Sequence, residues 1–80
     1  MTDFQFTEYF EEKSSASVPT SRKEWCIRVV QSPTRMERQE PNRWRFWAPI
    51  PEFGGRYLRV VTLDDQRTIH NAFPDRGFKP

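Results

Sequence analysis

Eighty residues permit one small domain with little surface to spare for a core. A charged fraction of 30% and a mean hydropathy of −0.90 point toward disorder, but 15% aromatic residues supply large burial energies and argue for a thin folded core. The net charge of +2 conceals an asymmetry, because residues 1–12 carry −4 and residues 13–80 carry +6. Ten of the thirteen basic residues are Arg, whose planar fork matches phosphate, so the body of the chain suits a polyanionic partner. The alternatives are self-docking of the acidic segment and an ordinary solvated surface.

Cys26 is the only cysteine, which excludes an internal disulfide and suits a cytoplasmic setting. Between Trp25 and Ile27 it reads as a small buried hydrophobe rather than a catalytic thiol. Residues 1–20 lack the pattern of a signal peptide, and no stretch approaches a membrane span, so a soluble protein is expected. One His, one Cys and scattered carboxylates give no metal-ligand spacing, and Gly54-Gly55 is not followed by the Lys-Ser/Thr of a phosphate loop. No cofactor or metal is expected.

In chain order, residues 3–13 predict a short amphipathic helix with Phe6, Tyr9 and Phe10 on one stripe. Residues 14–20, polar and small up to Pro19, read as a flexible linker. Ser21-Arg22-Lys23-Glu24 fits a capping box and starts a helix that runs to about Gln31 and stops before Pro33. Its apolar face is Trp25, Cys26, Val29 and Val30. From Thr34 onward the chain reads extended: a polar edge strand over Arg35–Glu40, a strand over Arg43–Ile50, another over Arg56–Leu63, and a last one over Thr68–Phe73. Asp64–Arg67 forms the final hairpin loop, and residues 74–80 read as an irregular tail. The expected architecture is a single α+β domain over residues 1–80, with two N-terminal helices packed on one face of a four-stranded antiparallel meander sheet.

Alternation in extended segments sorts the side chains. Trp44, Phe46, Ala48 and Ile50 fall on one face of their strand, and Arg43, Arg45 and Trp47 on the other. Leu58, Val60 and Thr62 oppose Tyr57, Arg59, Val61 and Leu63. If Leu63 pairs with Thr68 and Val61 with His70, then Ile69, Asn71 and Phe73 turn inward, while His70 and Ala72 join the arginines outside. Such a face can hold a phosphate backbone with guanidinium groups and stack bases on Trp47 and Tyr57. His70, the only side chain that titrates near neutrality unaided, is a candidate general acid or base beside Arg45 and Arg59. RNA cleavage needs such groups, with cations for the transition-state charge. The plainer reading is a histidine covering part of a sheet. Asp75-Arg76 either adds a guanidinium at the strand end or closes the C-terminal turn as an ion pair.

Arg56–Leu63, the polar hairpin, and Thr68-Ile69-His70-Asn71-Ala72-Phe73-Pro74-Asp75-Arg76 resemble small bacterial proteins of the kind common in cyanobacteria, which are similar to the RelE-like toxins of toxin–antitoxin pairs. Glu24–Val30 followed by Pro33 fits the same layout, so the resemblance covers roughly residues 22–80. It implies a sheet face that meets RNA, ribonuclease activity, and an antitoxin-like protein partner covering that face. By that resemblance Arg45, Arg59 and His70 are the matching catalytic candidates, and Arg43, Trp47, Tyr57 and Arg76 the nucleic-acid contacts. The chain departs from the pattern at Ser14–Pro19 and lacks a complete acid/base set. A non-catalytic module binding protein or nucleic acid, or an inactive member, fits those departures.

Overall fold

The computed structural model describes residues 4–14 and 21–79. A single α-helix, α1 (Ser21–Gln31), lies against a sheet of β1 (Gln5–Phe6), β2 (Arg35–Glu40), β3 (Arg43–Ile50), β4 (Arg56–Leu63) and β5 (Thr68–Pro74). The sheet order is β1-β5-β4-β3-β2. Strands β2 to β5 form the expected antiparallel meander. The expected first helix does not run over residues 3–13: helical conformation is confined to residues 8–14. Gln5 and Phe6 instead pair in parallel with Thr68 and Ile69, which makes the sheet five-stranded and mixed, and only one wide turn of π type follows at Phe10–Ser14.

The cause of this correction is a conflict of periods. Phe6, Tyr9 and Phe10 match a helical stripe, but Phe4 and Phe6 also match the two-residue repeat of a strand. The exposed edge of β5 decides between them. Arg67 and Ile69 present carbonyls there, and the amides of Gln5 and Thr7 donate to them at 3.1 and 3.0 Å. A pairing that satisfies edge carbonyls and puts Phe6 against the core outweighs a helix too short to be stable alone. Phe10 still reaches the core, 1% exposed, because the turn after β1 carries it under the sheet. Of the linker expected at residues 14–20, Ser14 ends the π-type turn, while residues 15–20 and the side chain of the Ser21 cap lie outside the described residues.

Helix α1 begins and ends where the cap and Pro33 predict. It lays Cys26 and Val29, both fully buried, on the inner face formed by Phe46, Ile50, Leu58, Val60 and Ile69. Trp25 packs on Phe53 with ring centroids 5.5 Å apart, and Arg28 makes a two-pronged bond to Glu52 at 2.8 and 2.9 Å. These contacts tie the helix to the short 3₁₀ turn Pro51–Phe53 that joins β3 to β4. That turn closes through Gly54 and Gly55, whose φ angles of 70° and 76° lie in the region that side chains disfavour. Among the described residues no helix is long and apolar enough to cross a membrane.

The final hairpin corrects the expected register. Thr62 pairs with Ile69 but Val61 pairs with Asn71, so His70 is an extra residue in a β-bulge. Ile69 and Ala72 are both buried, and residues three apart cannot both face inward on a regular strand. The bulge resolves this, and Asn71 Oδ1 accepts a hydrogen bond from the Ala72 amide at 2.9 Å where the ladder is broken. Beyond it Phe73 faces outward opposite Arg59, reversing the expected positions of Phe73 and Ala72.

Candidate nucleic-acid interface

The pairing of β2, β3 and β4 stacks three outward rows. Arg35 lies opposite Trp47 and Glu37 opposite Arg45, while Trp47 in turn faces Arg59 and Arg45 faces Val61. Arg43, Arg45, Trp47, Tyr57 and Arg59 therefore share the face away from α1, as alternation predicts. Strand β2 adds Arg35, Glu37 and Gln39 to it, and β5 adds Phe73. Continuing the alternation from Arg43 into the polar strand shows the β2 residues in the sequence; Phe73 is hidden there by the bulge.

Trp47 is the centre of this face. The Arg45 and Arg59 guanidinium carbons stand 5.5 and 5.8 Å from its ring centre, and Arg59 also lies 5.2 Å from the ring of Phe73. Such contacts are worth about 0.5–2 kcal/mol each and hold the cations above a nonpolar floor. Glu37 is the one carboxylate among these side chains. It receives Arg45 Nη2 at 3.1 Å and Arg35 Nε at 2.7 Å. Among the described residues Arg59 Nη2 reaches only the neutral Gln39 Oε1, at 3.5 Å, and Arg43 Nη1 only the Asn42 carbonyl, at 3.4 Å. The Nε atoms of Arg45 and Arg59 are buried and meet no acceptor among the described residues. Four arginines outnumber the two carboxylates described at this face, Glu37 and the Asp75 that accepts from Trp47, and leave it electropositive, with donors held ready for an anion.

The tail modifies the expected aromatic platform. Trp47 is 5% exposed because Phe78 stacks flat on it, centroids 5.0 Å apart and planes 13° apart. Trp47 Nε1 donates to Asp75 Oδ2 at 3.0 Å, and Tyr57 packs obliquely on Phe78 at 4.9 Å. Residues 75–79 thus fold over one end of the face instead of trailing away, and Phe73 is the more exposed ring at 37%. No spacing rule reveals Phe78, since it follows the last strand. Asp75 bonds Trp47 and the Gly77 amide, not Arg76, and Arg76 is exposed with no ion-pair partner among the described residues.

His70 sits at the bulge. Its Nδ1 lies 3.2 Å from Thr7 Oγ1, and Tyr9 stacks on its ring at 4.8 Å. Burial, with a smaller contribution from the Arg43 guanidinium, pushes its pKa below the ordinary value of 6.5, so the imidazole is neutral at pH 7. In the tautomer whose Nδ1–H donates to the Thr7 hydroxyl, the neutral imidazole leaves Nε2 free to accept a proton. Its level on β4 falls between Thr62 and Val61, which places it roughly 8 Å along the strand from Arg59. Thr7 and Tyr9 reach it only because β1 is a strand. No known protein family matches this chain, and no curated protein or solved structure is significantly similar to it.

Proposed function

We propose that this protein binds RNA through the outer face of its sheet, on the plan of the RelE-like toxins its sequence resembles. One observation carries the reading: Arg43, Arg45 and Arg59 lie on a single face around an aromatic floor, and among the described residues only Glu37 forms an ion pair with any of them. Guanidinium donors on a flat sheet meet phosphates, and neighbouring rings accept bases. An antitoxin-like protein that covers this face is the corresponding protein partner. A second reading, RNA cleavage, is favoured by the neutral His70 on the same sheet, held by Thr7 and Tyr9 and sensing Arg43. In it His70 moves the proton while Arg45 and Arg59 meet the developing charge.

The two readings separate in one assay. Single-stranded RNA is incubated at low salt with wild type, Arg59→Ala and His70→Ala, and the gel is read for shift and cleavage. Binding predicts a shift that Arg59→Ala weakens by about tenfold, the effect of losing one charge-assisted contact. Cleavage predicts product that disappears in His70→Ala while the shift remains. Wild type that neither shifts nor cuts RNA contradicts both.

A further inference from the structure

The C-terminal turn encloses a cleft of about 280 Å³ with the start of β4, lined by Arg56, Tyr57, Pro74, Asp75, Arg76 and Phe78. Its two cations have no carboxylate partner among the described residues. Arg56 lies over the Phe53 ring at 5.1 Å, and Arg76 is exposed to solvent. The one acid in the lining is already engaged, since Asp75 Oδ2 accepts from Trp47 Nε1 at 3.0 Å and Oδ1 from the Gly77 amide at 3.1 Å. The same bonds hold the turn in place, together with the Asp75 amide donating to the Tyr57 carbonyl at 2.9 Å. Two rings complete the wall, Tyr57 and Phe78, the latter stacked on Trp47.

We propose that this cleft binds a phosphate group carried by a nucleoside, with Arg56 and Arg76 taking the phosphate and Tyr57 and Phe78 lying against the sugar or base. Two guanidinium groups beside aromatic rings match that chemistry, because the phosphate needs planar donors and the base needs a nonpolar face. The volume is at the small end for ligand sites and fits one nucleotide, not a strand. The cleft adjoins Trp47 through Phe78, so its ligand is either a free nucleotide or the phosphorylated end of a strand lying on the arginine face. The second source rests on the RNA-binding reading above; the first does not.

Binding is measured by fluorescence and by amide shifts for AMP, adenosine, inorganic phosphate, and one short oligoribonucleotide with a 5′-phosphate, a 3′-phosphate or hydroxyl ends. The expected result is that AMP binds at least about tenfold better than adenosine, shifting the amides of Arg76 and Gly77, and that Arg76→Gln abolishes the difference. If the strand end is the ligand, one phosphorylated oligonucleotide also outcompetes its hydroxyl-ended form, and Arg76→Gln removes that advantage. Retained preference for AMP without any oligonucleotide binding supports the cleft and contradicts the RNA-binding face. If neither AMP nor a phosphorylated end is preferred over its unphosphorylated counterpart, or if Arg76→Gln and Arg56→Gln both keep the preference, the proposal is overturned. Arg76 is exposed, so its replacement is expected to leave the fold intact.

Discussion

The imidazole of His70 and the guanidinium of Arg59 are both partly covered, with different consequences. The buried Nε of Arg59 meets no acceptor among the described residues. His70 gives up its proton, because burial disfavours the cation and Arg43 adds repulsion. Its NMR titration midpoint is therefore expected below 6.5, and Arg43→Gln is expected to move it upward. The sign for stability follows from proton uptake: the unfolded chain binds a proton near pH 6.5, where the folded chain does not. Stability is complete above that pH, declines as pH falls toward the folded pKa, and levels off below it. Thermal melts at several pH values should show this slope in wild type and its loss in His70→Gln. An unchanged slope in the variant would assign it to other groups.

At the scale of elements, alternation alone makes β3 and β4 legible and puts Arg43, Arg45, Trp47, Tyr57 and Arg59 on one face. The helix α1 is legible for a similar reason, a cap at one end and a proline at the other. The bulge at His70 is not. Nothing local in Thr68–Pro74 shows which residue is extra; that depends on Ile69 and Ala72 both finding core positions. The β1 strand is hidden because its partner lies more than sixty residues away in sequence, while its own residues satisfy a helical stripe equally well. The hairpin between β4 and β5 shows what local chemistry does supply. Burial opposes ionisation of Asp65, but hydrogen bonds from Thr68 Oγ1 and the amides of Arg67 and Thr68 outweigh it and hold its pKa below 3.8. Asp65→Ala is expected to cost about 0.5–1.5 kcal/mol in urea unfolding, since two exposed amides exchange their carboxylate acceptor for water. The Asp65 contribution is present above pH 3.8 and is lost as pH falls through the lowered value. A variant as stable as wild type at neutral pH would show that the turn holds without its carboxylate.

On the scale of the whole molecule, a single helix covers one face of the sheet and the tail covers part of the other. The core is one cluster, from Phe10 and Val29 to Leu58 and Ile69. Leu58→Ala, at a fully buried position in the central strand, is expected to cost about 2–5 kcal/mol, a large share of the stability of so small a domain. The N-terminal strand closes the edge of β5. The amides of Gln5 and Thr7 are therefore expected to exchange with solvent slowly, and rapid exchange at both would contradict the parallel pairing. With α1 on the inner face, the opposite side of the sheet carries the arginines, and its charge favours an anion.

The salt dependence of RNA affinity tests that face most directly. Three arginines meeting three phosphates give a slope of log K against log salt of roughly −2 for a single strand, a loss of about twentyfold between about 50 and 200 mM salt. Wild type is expected to show this slope, and Arg59→Ala to flatten it by about one third while staying folded. Affinity independent of salt, or a slope unchanged in Arg43→Ala, Arg45→Ala and Arg59→Ala alike, would mean that the guanidinium groups of this face do not meet phosphate.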